Sequence, residues 1–171
     1  MAAKHKNLFL YLALACFLGV ILIFVFDGYM GVYDTLTMKS GEYEQKMEAD
    51  FWLRPYNQAS MGVERGGKVL FHYEVDNRQF SEYTADVEVS VWHSQEKVRD
   101  VLTQPLSIAR FGKGQLEWTV DTAELLPRDA TLEQGYQYTV ILKRGGVERK
   151  VILFINPSPY PPKVAIPAPV R

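Results

Sequence analysis

The chain has 171 residues, 47% of them hydrophobic and 23% charged, which is room for one domain of common size with accessory segments. Apart from Lys4 and Lys6 at the start, seventeen basic residues stand against twenty acidic ones, so the clustered positive charge that nucleic-acid phosphates require is missing and nucleic acid is not expected as a partner. Cys16 is the only cysteine, so the chain beyond it rests on neither disulfides nor thiolate metal ligands.

Residues 1–7 form a short polar stub with two lysines, and residues 8–26 follow without a single charge. At about 1.5 Å per residue, nineteen residues of helix span roughly 28 Å, close to the ~30 Å hydrocarbon core of a bilayer. Lys4 and Lys6 before the run and Asp27 after it place the N-terminus in the cytoplasm and the rest outside. The expectation is a single-pass transmembrane helix at the cell membrane, with Tyr29 and Tyr33 at the outer headgroup level. A cleaved signal peptide is the competitor, but its apolar core runs only about 7–15 residues. The stretch Ala13-Leu14-Ala15-Cys16 is also weighed as a lipoprotein processing site. Ala in place of Leu three residues before the cysteine counts against it, as does the apolar chain beyond. Ala15 and Gly19 have the spacing that lets two helices approach closely and are the helix-packing candidates.

Residues 27–42 read as an extended juxtamembrane linker. Afterwards the hydrophobic period is two, the mark of strands with one buried face. Met47, Ala49 and Phe51 alternate with charged residues in a first strand. Pro55, Gly62, Gly66 and Gly67 make residues 53–67 a loop. Val69, Phe71, Tyr73 and Val75 give a second strand, and Ala85, Val87, Val89 and Val91 a third. After a turn near Ser94 come Val98 and Val101, then a run opened by Pro105 that holds Leu106 and Ile108. Leu116, Trp118 and Val120 alternate next, a helical turn is expected over residues 122–126, and Tyr138, Val140 and Leu142 lead through Gly145-Gly146 into Val151, Leu153 and Ile155. A Gly-Gly pair between alternating runs is a hairpin signal, because tight hairpin turns need positive φ. About seven short strands without crossover helices imply two antiparallel sheets packed face to face over residues 43–156.

Leu132, Gly135, Tyr138 and Val140 stand in the order L-x-x-G-x-x-Y-x-V. This motif resembles the entry into strand F of fibronectin type III and related immunoglobulin-like domains. The resemblance implies an immunoglobulin-like sandwich and a structural tyrosine corner at Gly135 and Tyr138, the hydroxyl of Tyr138 bonding back to the chain. Trp118 falls in the strand before this motif, a departure from antibody domains, whose tryptophan lies on strand C between two cysteines, and the cysteine pair is absent. The resemblance identifies a fold, not an activity.

Residues 157–171 form a proline-rich tail with Pro157, Pro159, Pro161, Pro162, Pro167 and Pro169, suited to an extended path rather than a sheet. It reads either as solvated chain or as a segment whose Tyr160, Pro161 and Pro162 lie along a partner. Trp92, which alternation turns away from the core, joins Trp52 and Tyr56 as partner-contact candidates, because aromatic residues are enriched at interfaces.

No catalytic, metal or cofactor-binding residues are assigned and no cofactor is expected. His72 and His93 lie on different strands, no G-x-S-x-G motif is present, and the glycine pairs precede no helix. The absence of an N-x-S/T acceptor is consistent with a prokaryotic source. The leading expectation is a non-enzymatic, membrane-anchored accessory or structural subunit of a membrane or cell-envelope complex, with the extracytoplasmic domain contacting other subunits. Alternatives are a cell-surface ligand-binding or adhesive module and a subunit of a surface filament.

Overall fold

The computed structural model describes residues 11–22, 30–48, 58–127 and 135–156. A helix, α1, covers residues 11–22. Nine strands follow: β1 Val32–Ser40, β2 Tyr43–Glu48, β3 Gln58–Glu64, β4 Lys68–Asn77, β5 Tyr83–His93, β6 Glu96–Ile108, β7 Lys113–Asp121, β8 Tyr136–Arg144 and β9 Val147–Asn156, with a 3-10 turn at Thr122–Glu124. They form two sheets, ordered β2-β1-β4-β7 and β3-β9-β8-β5-β6.

The membrane-spanning expectation is corrected here. Among the described residues no helix is long and apolar enough to cross a membrane. The described helix has twelve residues, 11–22, and at 1.5 Å each they reach about 18 Å against a ~30 Å core. Among the described residues the single-pass topology drawn from residues 8–26, and with it the cell-membrane location and the cytoplasmic N-terminus, therefore finds no element to support it. Residues 8–10 and 23–26 lie outside the described residues.

Period-two alternation builds the two-layer core. In β4, Val69, Phe71, Tyr73 and Val75 point inward and are fully buried, while Lys68, Leu70, His72 and Glu74 face out. Val87, Val89 and Val91 of β5, Tyr138, Val140 and Leu142 of β8, and Val151, Leu153 and Ile155 of β9 supply the opposing layer. The cross-strand row Met38, Phe71, Trp118 runs across the first sheet, where Phe71 and Trp118 stack with centroids 5.2 Å apart and planes at 6°.

The sheets hold two strands more than the seven expected. Residues 32–40, read as linker, form β1, hydrogen-bonded between β2 and β4. Part of the stretch read as a loop is β3, whose Ala59, Met61 and Val63 are buried. Gly62 faces outward there, so its lack of a side chain costs the core nothing. The sandwich is also not wholly antiparallel, because β3 pairs with β9 in parallel. Ala49 and Phe51 of the expected first strand lie outside the described residues, and that strand is β2, with Met47 buried.

The two short runs around Val98 and Leu106 are one strand, β6. Pro105 is accommodated because β6 is the edge of its sheet and needs no second ladder there. At the β8–β9 hairpin Gly145 adopts φ +56°, the left-handed conformation that the two-residue turn requires. Gly67 is held by a different constraint: a Cβ there would stand 2.9 Å from the carbonyl oxygen of Glu64, which accepts the hydrogen bond of the Gly67 N–H at 2.9 Å.

Candidate functional site

A group of buried ionisable side chains lies between the sheets, where charged residues occupy inward positions of three strands. Asp34 on β1, Arg144 on β8 and Arg149 on β9 are 4%, 2% and 5% exposed. Tyr73 donates its hydroxyl proton to Asp34 Oδ2 at 2.8 Å and accepts from Arg144 Nε at 2.6 Å. Arg144 also donates through Nη1 to the Tyr83 hydroxyl at 2.5 Å, and Arg149 Nη2 donates to Asp34 Oδ1 at 2.5 Å. One carboxylate and a shared phenol thus tie the first sheet to two guanidinium groups of the second. An ion buried without such partners would cost several kcal/mol, and the hydrogen bonds offset that cost.

Burial, followed by the Asp34 charge, holds the Tyr73 phenol far above its usual range. For Arg144, burial works against the charged form, but Tyr73 and Asp34 outweigh it and the group sits above its ordinary value. Both groups therefore keep their protons at neutral pH. An almost fully buried Asp34 with both oxygens engaged is unavailable to a substrate, so the arrangement acts as an inter-sheet clamp.

The sign of its pH dependence follows. A tyrosine whose folded pKa exceeds the unfolded value near 10 contributes stability that is complete below that pH and is lost as pH rises through the folded value. Tyr73→Phe is expected to cost about 1–3 kcal/mol at pH 7, because Asp34 Oδ2 and Arg144 Nε lose the hydroxyl. It should also flatten the decline of stability above about pH 10. Urea unfolding across pH 7–11 reads both effects; an unchanged alkaline slope contradicts the assignment.

The candidates named from the sequence are dispersed. Ala15 and Gly19 lie on α1, Ala15 exposed and Gly19 half-buried, and a Cβ on Gly19 would meet nothing within 4 Å. Tyr33 lies in β1 with the Arg78 guanidinium 4.5 Å above its ring. Trp92 is half-buried on β5, beside a register shift between Val91 and Trp92, and donates its indole N–H to Ser90 Oγ at 2.9 Å. Tyr29, Trp52, Tyr56, Tyr160, Pro161 and Pro162 lie outside the described residues.

Gly135 is exposed just before β8. Tyr138 is 3% exposed and donates its hydroxyl proton to the Leu125 carbonyl, tying β8 to the connection that follows β7. Burial raises its pKa, with Tyr136 adding to the rise. Tyr138→Phe strands that carbonyl and is expected to cost about 1–3 kcal/mol, read as a lower urea midpoint at unchanged slope.

Among the described residues no group of three or more His, Cys, Asp or Glu is placed to hold a metal ion. His72 Nδ1 lies 2.8 Å from Glu117 Oε1 across the β4–β7 pair, and the His93 ring packs 5.1 Å from that of Tyr138. A shallow cleft of about 410 Å³ lies between the β1–β2 turn and the β3–β4 turn, lined by Ser40, Tyr43, Glu64, Gly67 and Lys68 among others.

The clamp was missed in the sequence although its signal is present. Arg144 continues the inward series of Tyr138, Val140 and Leu142, Arg149 precedes that of Val151, Leu153 and Ile155, and Asp34 precedes Leu36 and Met38. Charges at inward positions on three strands demand partners from one another.

No family model matches the chain, and no curated protein matches it. Among solved structures it is similar to a β-glucosidase from Listeria innocua in complex with glucose, with TM-score 0.45, 7% identity, and coverage of 75% of this chain and 17% of that one. It is also similar to the periplasmic chaperone SfaE, with TM-score 0.44, 12% identity, and coverage of 64% of this chain and 60% of that one. A family 123 glycoside hydrolase from Clostridium perfringens gives TM-score 0.35 and 8% identity over 61% of this chain and 24% of that one. The chain thus spans less than two thirds of each of these proteins. At such scores the similarities carry no argument about activity or partner.

Proposed function

We propose that the chain is a non-enzymatic accessory or structural subunit whose β-sandwich, of immunoglobulin-like type, serves protein–protein contact. The observation that carries this reading is α1. Its residues are all apolar or small, and Leu12, Leu14, Phe17, Leu18 and Leu22 are each more than half exposed. A helix that packs on nothing gains little stability in water, and proteins stabilise helices by burying a face. Covering each large side chain contributes on the order of 1 kcal/mol, so the exposed helix is one side of a contact that another polypeptide completes.

The immunoglobulin-like assignment draws support from sheet order and from one hydrogen bond. With β4, β7, β5, β8 and β9 taken as strands B, E, C, F and G, B and E neighbour each other in one sheet and C, F and G in the other. The Tyr138 hydroxyl then bonds back near the E–F connection, as a tyrosine corner does. The non-enzymatic reading draws on the clamp, which consumes Asp34, Arg144 and Arg149 in the interior.

Gentle isolation from the native source, followed by native-size analysis, tests the proposal. Co-migration with other polypeptides, disrupted by Leu14→Asp with Phe17→Asp, is the expected result. A lone monomer under every mild condition overturns it.

A further inference from the structure

At one end of the sandwich two loops carry an exposed aromatic pair. Phe80, between β4 and β5, and Phe111, between β6 and β7, meet edge to face with centroids 5.0 Å apart, although they are 66% and 54% exposed. Exposed rings are ordinary singly, but a pair held together outside the core is not.

Asn77 holds it. Its side chain is fully buried, and Nδ2 donates to the carbonyls of Ser81, Ile108 and Ala109 at 2.9, 3.2 and 3.0 Å. Oδ1 accepts the Gln79 N–H at 3.1 Å. One amide thus fixes both loops, and preorganisation of this kind favours binding by lowering its ordering cost.

The backbone points the same way. Phe111 has φ +54°, a left-handed conformation that a bulky residue adopts at a cost and that clusters at functional positions. The turn closes from the Gly112 N–H to the Ala109 carbonyl at 3.0 Å, so glycine stands one residue after the position where it would relieve the strain.

Charge narrows the occupant. Around the pair Glu74 meets Lys113, Asp76 meets Arg78, and Glu82 accepts from Ser107. Arg110, exposed beside Phe111, joins no ion pair among the described residues. We infer that Phe80, Phe111 and Arg110 form a docking knuckle for a polypeptide partner that offers an apolar recess with a carboxylate at its edge.

Two half-exposed phenyl rings offer on the order of 200 Å² a side, against the ~800 Å² typical of a stable interface, so the rings alone do not hold a complex. The knuckle is an anchor inside a larger contact. This inference rests on the reading that a partner also covers α1. Consistent with that, Gly31, which precedes β1 on the α1 side, accepts the Arg78 N–H of the knuckle loop at 2.9 Å.

The test uses the full chain in its native host, with a benzophenone-bearing phenylalanine analogue at position 111 and, as control, at Tyr43 on the opposite end. The expected adduct from 111 maps to an apolar segment of one polypeptide containing Asp or Glu, and falls about tenfold with Arg110→Glu. Phe111→Gly is expected to raise Tm by about 2–4 °C while the native complex is lost. An adduct to lipid or to a second copy, an adduct no stronger than at Tyr43, or indifference to Arg110→Glu overturns the knuckle. A wild-type complex that survives Phe111→Gly intact overturns the knuckle alone, whereas a wild-type chain that never leaves the monomer removes the underlying reading as well.

Discussion

Asp34→Ala is expected to cost about 3–5 kcal/mol, because it leaves two buried guanidinium groups without the carboxylate that both engage. Domains of this size are stable by only about 5–15 kcal/mol, so the variant should unfold at a much lower urea midpoint. The loss would come from stranded charge rather than from lost attraction, and that distinction can be measured. Replacing the group together, with Asp34→Leu, Arg144→Met and Arg149→Met, removes every buried charge of the clamp at once. Such exchanges are commonly neutral or stabilising, so the triple variant should recover most of what Asp34→Ala loses. A triple variant as weak as the single one would mean that the clamp supplies net stability. An Asp34→Ala protein within 1 kcal/mol of wild type would mean that the carboxylate is dispensable.

Phe71→Ala is expected to cost a similar 3–5 kcal/mol, by emptying the centre of the core. Phe71 is fully buried, lies between Met38 and Trp118 in the cross-strand row, and stacks on the indole. The loss combines the removed apolar surface, a cavity that two hydrogen-bonded neighbour strands prevent from collapsing, and an aromatic contact worth about 0.5–1.5 kcal/mol. Trp118→Phe provides the contrast. It keeps a ring against Phe71 and removes a buried indole N–H that has no hydrogen-bond partner among the described residues, so it should cost less than half as much. Urea titrations of the two variants rank them; a reversed order contradicts the packing argument.

What the sequence revealed depended on how cleanly each strand alternates. In β4, β5 and β7 the buried residues are apolar apart from Asn77 at the end of β4, and the positions of the apolar ones were read correctly from period alone. In β1 the buried series opens with Asp34, and the partners that make a buried carboxylate tolerable are Tyr73 on β4 and, more than a hundred residues away, the cations of β8 and β9. Local pattern reading therefore turned a central strand into a linker. In β3 three inward residues alternate properly, but Gly62 and the following Gly66-Gly67 are the usual punctuation of loops, and only the parallel pairing with β9 makes the segment a strand.

The aromatic knuckle was less legible still. Phe80 and Phe111 are thirty-one residues apart and lie in different turns, brought together by the paths of four strands and the buried Asn77. The apolar stretch at the start shows the opposite failure. Its composition was read correctly, but the length of helix that it forms among the described residues is too short for the role assigned to it.

The central claim is that another polypeptide covers α1, and Cys16, the single cysteine, sits on that helix with its side chain exposed in the isolated chain. Thiol labelling of gently isolated native protein, before and after treatment that separates its polypeptides, measures the cover directly. The account expects Cys16 to resist the reagent in the native state and to react once the polypeptides part. Complete labelling of Cys16 in the untreated native protein would contradict it.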